Sequence, residues 1–412
     1  MNPPVFDKLQ NRIAGYGNDI IRIQKMLTAC PALSPENGGD GEGRKAEIIK
    51  NLLDEIGYDE LLAVHAPDTR VSSGVRPNFI VRWNGHSARK TLWIMSHMDI
   101  VPPGDLAGWD HDPYDAVLKD GKIIGRGTED NQQAIVSSLL AIRAMRSEGV
   151  VPEYGIAFAL VSDEETGSGY GIEHVLRTRP DLFRPQDLIV IPDAGDPEGT
   201  VIETAEKSIL WIRFEIHGKQ THGSTPEKGS NAHKAGAHLI VRMNDLYKLY
   251  PKNDPLFDPP VSTFEPTKKE NNVPNINTIP GEDVFYFDCR ILPEVALREI
   301  QDRIQAWVDE IQKQFQVRVQ ITWPQTVQAP PSTPVDAPVV LALKRAVKAV
   351  LGRDARTLGI GGGTVAAHFR EHGLHAVCWT CLDDVAHAPN EYSRIENTLN
   401  DARVFAHLFL QE

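Results

Sequence analysis

The sequence predicts an α/β domain, with a mixed sheet flanked by helices, interrupted by an inserted α+β domain of one sheet and two helices. Short apolar strands alternate with helical patterns in the first half and again near the C-terminus, which is typical of an α/β sheet with helices on both faces. The segment between them instead alternates apolar and polar residues, as half-exposed antiparallel strands do. We therefore expect the α/β domain at 1–207 and 325–412 and the inserted domain at 208–324.

Helices and strands follow one another through the first part. Helices are predicted for DIIRIQKMLTAC, RKAEIIKNLLDEIG and NQQAIVSSLLAIRAMRSEG, the last two ending at Gly57 and Gly149, since glycine commonly ends a helix. Strands are predicted for the apolar runs NFIVRW, TLWIMSH, YGIAFALVSDEE and DLIVIPDAG. Several of these strands end in a histidine or an acid.

The predicted inserted domain contains longer, amphipathic elements. Its strands are SILWIRFEIHGKQTHGS, VFYFDCRIL and VRVQITW, and its helices are GSNAHKAGAHLIVRMNDLYKLY and PEVALREIQDRIQAWVDEIQKQF. A proline-rich hinge, PQTVQAPPSTPVDAP, follows. The alternation then resumes with PVVLALKRAVKAVLG, TLGIGGGTVAAHF and HAVCWTCL.

Composition excludes several classes of protein. The chain has 412 residues and a formal net charge of −13, which argues against nucleic acid or an anionic membrane as its main partner. No apolar stretch approaches the ~20 residues of a membrane span. The start, MNPPVFDKLQNRIAG, lacks the apolar core of a secretory signal, and four cysteines do not make a disulfide framework. We expect a cytoplasmic protein.

The Cys378–Cys381 pair, CWTC, invites a redox or zinc-ribbon interpretation. The pair lies in an apolar run typical of a buried strand, however, and no second cysteine pair completes a zinc site. A redox pair is expected near a helix start. We therefore favour buried packing.

Potential metal ligands follow the predicted strands. His97 and Asp99 lie two residues apart at a strand end, where the carboxylate could orient the imidazole. The others are the run Asp163–Glu165, Asp193, Asp130 in GRGTEDNQQA, and His387 after the last apolar strand. Each has an alternative role as a helix cap, a solvated turn or a surface loop residue.

Considered together, these residues favour metal binding. The carboxyl ends of strands meet at one edge of an α/β sheet, and several carboxylates there would repel one another unless cations neutralised them. Histidine–carboxylate sets suit Zn²⁺, Co²⁺ or Mn²⁺. In an extended segment, neighbouring side chains diverge, so one of Glu164 and Glu165 could ligate while the other acts as a general base.

The motifs SHMDIVPPGD, DGKIIGRGTEDNQQAIVSSLLA, SDEETGSGYG, PDAG, THGSTPEKGSNA and AHAPNEY together resemble the dinuclear zinc aminoacylase/carboxypeptidase family. This family includes acetylornithine deacetylase, succinyl-diaminopimelate desuccinylase, aminoacylase-1 and carnosinase-type dipeptidases. The motifs occur in order from about residue 15 to the C-terminus. The resemblance implies a zinc-peptidase-like catalytic domain and an inserted lid and dimerisation domain, hence a homodimer.

The resemblance also implies a role for each site residue. Asp130 would bridge two metal ions, His97 and Asp193 would complete one site, and Glu165 and His387 the other. Glu164 would be the general base, and Asp99 would orient His97. The substrate would be a small N-acyl amino acid or short peptide.

Further roles are implied for residues of the inserted domain. The matching His222 would reach the partner subunit's active site and stabilise the oxyanion. Arg290 would bind a substrate carboxylate, for which a planar guanidinium is well suited, and Asn277 would lie near the same site. Without the resemblance, His222 could equally be a loop residue and Arg290 an edge-strand charge.

The glycine cluster in GIGGGTVAAHF has two interpretations. Glycines that open a helix leave backbone N–H groups free for an anion, so Gly362, Gly363 and Thr364 could bind the substrate carboxylate. A tight strand-to-helix turn is the alternative. A dinucleotide site is disfavoured because G-x-G-x-x-G is not matched.

Two departures from the family pattern limit what the sequence says about the substrate. Many members have Met-Lys-Gly or similar small residues after the bridging aspartate, where this chain has Asn131-Gln132-Gln133, and desuccinylase-like deacylases mostly have Glu where this chain has Asp193. We expect a deacylase of N-acyl amino acids. A dipeptidase or carboxypeptidase is the alternative, and a non-catalytic binding protein on the same fold a remote one.

Overall fold

The computed structural model describes residues 3–411, which form two compact units. Unit 1 comprises residues up to Thr204 together with 333–357 and 364 onward, and unit 2 comprises 205–332 and 358–363. The α/β architecture with an inserted α+β layer is therefore as predicted. The short segment 358–363 groups with unit 2, a feature that the sequence-based boundaries do not include.

The helices and strands of the described residues are numbered in chain order. The helices are α1 Pro3–Ala14, α2 Gly17–Thr28, α3 Gly43–Ile56, α4 Gln133–Ser147, α5 Ile172–Thr178, α6 Ala232–Met243, α7 Asp245–Leu249, α8 Leu297–Phe315, α9 Pro338–Leu351, α10 Ala366–Glu371 and α11 Ile395–Phe409. The strands are β1 Glu60–Ala63, β2 Ala66–Pro67, β3 Val75–Arg76, β4 Phe79–Trp83, β5 Ser87–His97, β6 Val117–Lys119, β7 Lys122–Ile124, β8 Tyr154–Val161, β9 Leu188–Ile191, β10 Val201–Glu206, β11 Ser208–His217, β12 Thr221–His222, β13 Thr263–Lys269, β14 Thr278–Ile279, β15 Glu282–Ile291, β16 Arg318–Val327, β17 Arg356–Ile360, β18 Ala376–Cys378 and β19 Tyr392–Arg394.

The main sheet is mixed, with strand order β1-β4-β8-β5-β9-β18-β10-β17. Its centre is parallel, since β8, β5, β9 and β18 all run in the same direction. Strands β1 and β4 on one side and β10 on the other are antiparallel to their neighbours. The carboxyl ends of four neighbouring strands therefore lie at one edge.

Both faces of this sheet are covered, and β5 shows why its sequence is a continuous apolar run. Side chains alternate between faces in a strand. Leu92 and Ile94 pack into one core with helices α4, α9 and α11, whereas Trp93 and Met95 pack into a second core with α5 and α10. A strand buried on both faces needs apolar residues at every position, which is what LWIM supplies.

Unit 2 contains a four-stranded antiparallel sheet in the order β13-β15-β11-β16. Alternate residues of β11, including Phe214 and Ile216, pack against helices α6 and α8, while Trp211, Arg213 and others between them face the opposite side. Helix α8 buries an apolar stripe at helical spacing, ending at Ile311. The predicted half-exposed antiparallel strands are thus present, and the structure adds that α6 and α8 pack on one face of their sheet.

One predicted helix is divided in two, and the predicted burial of the CWTC run is confirmed. The helix predicted across 229–250 is two helices, because the chain turns at Asn244 between α6 and α7. The CWTC run is buried as predicted: Cys378 and Cys381 are 0% and 2% exposed, and strand β18 already ends at Cys378. Among residues 3–411, no helix combines the length and apolarity needed to cross a membrane.

Candidate metal centre

Three parallel strands deliver the predicted ligands to one edge of the main sheet. His97 is the last residue of β5 and pairs in register with Val161, the last residue of β8. The Asp163–Glu165 turn follows β8, and Asp193 follows β9 two residues after its end. These side chains therefore meet although the sequence separates them widely.

Asp130 lies between the two histidines. Its Oδ1 is 2.8 Å from His97 Nε2, and its Oδ2 is 3.2 Å from His387 Nε2. Asp130 lies in an irregular turn just before α4, outside regular helical conformation, and the Asp130–Asn131 peptide is cis. Each oxygen of this one carboxylate thus faces a different imidazole, the arrangement that a bridging ligand requires.

The remaining predicted ligands complete two groups around Asp130. His97 Nε2 is 3.5 Å from Asp193 Oδ1, and His387 Nε2 is 3.2 Å from Glu165 Oε2. Candidate ligand atoms of His97, Asp130 and Glu165 all lie within 4.8 Å of one another, as do those of His97, Glu164 and Asp193. The structure therefore brings together all the residues predicted as ligands, and Glu164 with them.

The charge balance of this cluster favours cations. Four carboxylates (Asp130, Glu164, Glu165 and Asp193) surround two imidazoles. Burial disfavours a charged imidazole, yet hydrogen bonds to Asp130, Asp193 and Asp99 raise the pKa of His97 well above its usual value. The donor set of imidazole nitrogens and carboxylate oxygens fits Zn²⁺, Co²⁺ or Mn²⁺, which would supply the missing positive charge.

Glu164 differs from Glu165 in its contacts. Glu165 lies 3.2 Å from His387, whereas Glu164 groups with His97 and Asp193. Burial raises the pKa of both glutamates, and for Glu164 the neighbouring carboxylate of Asp193 adds to the effect and takes the pKa well above its usual value. A carboxylate with a raised pKa is a stronger proton acceptor than an exposed one. This property suits a general base better than a simple ligand.

Asp99 contacts both His97 and the turn that carries Glu164 and Glu165. His97 Nδ1 lies 3.1 Å from the backbone carbonyl of Asp99 and 3.4 Å from its carboxylate, so the backbone makes the closer contact. The carboxylate instead accepts the backbone N–H groups of Glu164 at 3.1 Å and Glu165 at 3.0 Å. Asp99 thus fixes the turn that carries both glutamates as well as the imidazole.

Asn131 supports Asp193, a contact that the sequence did not indicate. Its Nδ2 donates to Asp193 Oδ1 at 2.8 Å and to the carbonyl of Pro192 at 2.9 Å. Gln132 bonds Thr28. The residues that depart from the family pattern after Asp130 therefore tie the turn to its neighbours.

A buried ion-pair network lies beneath the glutamate turn and was also not predicted. Arg76 is fully buried, pairs with Glu42 through two hydrogen bonds, and lies 3.4 Å from Asp163. Lys45 is buried close by, and burial lowers its pKa to about 8. These pairings join distant parts of the chain, so no local sequence pattern marks them.

Within unit 2, His222 and Asn277 come together. The backbone N–H of Gly223 donates to the carbonyl of Asn277 at 2.7 Å, and His222 is exposed. The backbone N–H of Ser224 donates to His222 Nδ1 at 3.2 Å. Nδ1 must therefore accept, so the neutral imidazole carries its proton on Nε2.

Arg290 also lies in unit 2, next to the glycine cluster. Its guanidinium makes a two-point contact with Asp288 at 2.7 and 3.0 Å, and Nη1 donates to the carbonyl of Gly361 at 2.8 Å. Gly362 and Gly363 have open space where a Cβ would lie. Thr364 begins the next part of unit 1 and contacts Glu203 at 3.3 Å.

The comparison with protein families decides the class. Residues 93–411 match the model of peptidase family M20/M25/M40, and this span contains every ligand described above. The chain belongs to this family. It is a metal-dependent hydrolase of the M20 group, as the resemblance implied.

Relatives of this M20 metallohydrolase cover nearly its whole length. An uncharacterised metallohydrolase of Methanococcus maripaludis is 40% identical over 406 residues, covering 94% of this chain and 98% of the relative. A succinyl-diaminopimelate desuccinylase of Nitratiruptor is 25% identical over 375 residues, covering 90% and 94%.

Solved structures share the fold of this M20 protein. Human carnosine dipeptidase 1 superimposes with a TM-score of 0.73 at 18% identity, covering 100% of this chain and 99% of that one. The aminopeptidase PepT of Bacillus cereus gives 0.71 at 20% identity, covering 97% and 98%. At these identities the likeness describes the fold and leaves the substrate open.

Proposed function

We propose that the protein hydrolyses the amide bond of an N-acyl amino acid with a free carboxylate, using two divalent metal ions, most suitably Zn²⁺, with Co²⁺ or Mn²⁺ as alternatives. One observation carries this proposal: Asp130 presents one oxygen to His97 and the other to His387. A carboxylate whose two oxygens face two different histidines suits two neighbouring ions better than one.

The residues for each ion follow from these contacts. His97 and Asp193 would hold the first ion, Glu165 and His387 the second, and Asp130 would bridge them. When bound, such a pair of ions acidifies a water molecule and polarises the scissile carbonyl.

Glu164 would move the proton. Burial and the nearby Asp193 carboxylate raise its pKa, so it can take a proton from the attacking water and later release it to the leaving nitrogen. Glu165, engaged with His387, would stay a ligand. Asp99 would act as a positioning residue by holding the backbone of both glutamates.

Two residues of the inserted unit would bind the substrate. His222, with its proton on Nε2, is a neutral donor suited to an oxyanion. Arg290 would bind the free carboxylate, together with the backbone at Gly362, Gly363 and Thr364, and Asn277 would lie beside His222. The contact between Arg290 and Gly361 supports a common role for the arginine and the glycine cluster.

A homodimer through the inserted domain is part of the proposal. Unit 2 exposes large apolar side chains: Trp211 at 41%, Val241 at 69%, Leu249 at 49% and Val327 at 45%. Such residues are common at protein interfaces. Sedimentation equilibrium should give twice the mass of one chain, and Trp211→Glu, on the strand that pairs with the strand of Val327, should shift this toward the monomer. A wild-type mass of one chain would contradict the dimer.

A dipeptidase or carboxypeptidase is the second candidate. Asp193 lies where desuccinylase-like deacylases mostly have Glu, which weakens assignment to those deacylases and leaves this candidate open. A non-catalytic binding protein is disfavoured because every proposed ligand and the proposed base are present together.

A panel of substrates tests the proposal. Zn²⁺- or Co²⁺-loaded protein is incubated with N-acetyl and N-succinyl amino acids and with dipeptides, each also as the carboxyl amide, and amine release is measured. We expect turnover of N-acyl amino acids and loss of turnover when the carboxylate is blocked. Cleavage of dipeptides alone would favour the second candidate, and no cleavage of any amide by protein holding two ions would contradict both.

A further inference from the structure

Two segments carry the ligands that meet at Asp130 and His387. The first, here the Asp130 segment, is residues 126–130, and the second, here the His387 loop, is residues 383–391. Each contains a second buried acid that the proposed metal binding does not use: Glu129, 6% exposed, and Glu391, 1% exposed.

Glu391 of the His387 loop binds the backbone of the Asp130 segment. Its Oε2 accepts from Arg126 Nη1 at 2.7 Å and from the N–H of Gly127 at 3.0 Å. Its Oε1 accepts from the N–H groups of Glu129 at 2.9 Å and Asp130 at 3.1 Å. Both oxygens are thus used in placing the residues around the bridging ligand.

Glu129 of the Asp130 segment binds the His387 loop in return. Its Oε1 accepts the N–H of Asp383 and its Oε2 the N–H of Val385, each at 2.7 Å. Arg126, held by Glu391, also donates through Nη2 to the carbonyl of His387 at 3.3 Å. The contacts therefore run in both directions between the two segments.

The His387 loop has a conformation that needs such support. Asp384, His387 and Asn390 have φ values of 60°, 63° and 58°. Residues with a Cβ rarely adopt this left-handed region, and each such residue persists where surrounding contacts over-determine it.

We propose that Glu129 and Glu391 are positioning residues that form a reciprocal clasp and set the position of His387 relative to Asp130. The inference rests on the proposed two-ion function. These two carboxylates would not bind the second ion themselves but would hold its ligand His387 in place. Loss of the clasp should weaken the ion bound by Glu165 and His387 more than the ion bound by His97 and Asp193.

Glu129→Gln tests the clasp with little change of shape. The glutamine side chain has only one oxygen, so it can accept only one of the N–H groups of Asp383 and Val385. Its NH₂ group would then face the other N–H, and two donors repel each other. We expect about 10- to 100-fold weaker affinity for the second ion, the usual cost of losing a residue that orients a metal ligand. Cobalt titration in competition with a chelator, followed by absorption and by metal-to-protein ratio, measures both affinities.

Asp187→Asn is the matched control. Asp187 is a buried carboxylate of unit 1 that accepts the N–H of Thr91 at 2.8 Å and of Arg184 at 3.0 Å, at the opposite end of β5 from His97. This variant should lower Tm but leave both affinities at wild-type values. Glu391→Gln loosens the backbone of Asp130, which both ions would share, so this variant should weaken both ions. The selectivity for the second ion is therefore decided by Glu129→Gln.

The outcomes separate the clasp from the proposed function. Selective weakening of the second ion in Glu129→Gln supports the clasp. If Glu129→Gln binds both ions with wild-type affinity, the clasp is wrong. The clasp is also wrong if this variant binds both ions equally more weakly, because loss of a negative charge would have that effect by itself. Wild-type protein that does not bind two ions overturns the proposed function itself, whereas two ions bound unchanged in the variant overturns only the clasp.

Discussion

His387 Nε2 lies 3.2 Å from Asp130 Oδ2, while the other oxygen of the same carboxylate lies 2.8 Å from His97 Nε2. The histidine after the last parallel strand and the histidine ending β5 are thus joined through one side chain. Because the sheet edge carries more carboxylates than imidazoles, this centre requires cations to stay buried without strong repulsion.

The first prediction separates the general base from the ligand. Glu164→Gln keeps the size of the side chain but cannot accept a proton at neutral pH, so kcat should fall about 10²- to 10⁴-fold while two ions remain bound. Glu165→Gln should weaken or lose the second ion, because a neutral amide is a poor ligand. Metal analysis and steady-state kinetics on both variants measure this. Loss of metal in Glu164→Gln, or near-normal turnover, would show that the two roles are wrong.

The second prediction concerns His222. His222→Ala should lower kcat and leave the metal content unchanged, since the residue is assigned to the oxyanion. Ser224→Ala removes the hydroxyl 2.8 Å from His222 Nδ1 but keeps the backbone N–H contact, so it should reduce kcat less. A His222→Ala protein that has lost an ion would contradict this assignment.

Mixing two inactive variants tests whether His222 acts across a dimer. Glu164→Gln and His222→Ala subunits are unfolded together, refolded and assayed. If His222 serves the partner subunit, mixed dimers contain one complete site, and about a quarter of wild-type activity should return. If it serves its own subunit, the mixture should stay as inactive as its components.

The third prediction concerns Asn131, which donates to Asp193 Oδ1 at 2.8 Å. Asn131→Ala should free the carboxylate and weaken the first ion about 10- to 100-fold. Gln133→Ala is the matched control, because this buried amide bonds Asp401 at 2.8 Å and Cys381 but no proposed ligand. Cobalt titration in competition with a chelator measures the affinity for the first ion in both variants. Equal effects of the two variants would argue that Asn131 acts only through stability.

These contacts show how far the sequence predicts the centre. That the proposed ligands lie together was predictable, because each follows a strand of strong apolar pattern or lies in a motif, and a parallel sheet gathers strand ends at one edge. The role of Asp99 was only partly predictable. Its carboxylate lies 3.4 Å from His97 Nδ1, in line with the expected orienting role, but it also accepts the backbone N–H groups of Glu164 and Glu165, which no sequence pattern indicates.

The supporting residues were not predictable, for a common physical reason. Glu129 and Glu391 lie within the recognised motifs, but their partners are backbone N–H groups of another segment, and backbone groups have no sequence signature. Arg76 and Glu42 form a buried ion pair between distant parts of the chain, whereas sequence alone predicts that such residues are exposed. A buried charge with a distant partner is visible only in three dimensions.

The fourth prediction concerns acid stability. Burial, then the charge of Arg345, lowers the pKa of His407 from 6.5 to about 4. The unfolded chain therefore binds a proton below pH 6.5 that the folded chain does not bind until about pH 4, so this contribution to stability is present above pH 6.5 and is lost as the pH falls toward 4. His407→Leu should remove this dependence, on the order of 2 kcal/mol.

Urea unfolding at several pH values between 7 and 4 measures the effect as the difference between wild type and variant. His375→Gln, at an exposed position of the same unit, is the control and should leave the slope of the wild type. An unchanged slope in His407→Leu would contradict the prediction.

The metal content of the purified protein tests the central claim most directly. Elemental analysis combined with an activity titration should give close to two divalent ions per chain, complete loss of amide hydrolysis after exhaustive chelation, and its return as Zn²⁺, Co²⁺ or Mn²⁺ is added to two equivalents. Asp130→Asn, which removes one of the two shared oxygens, should bind less than two ions under the same conditions. Full activity in chelated protein, or saturation of activity with a single ion in the wild type, would contradict the two-ion centre.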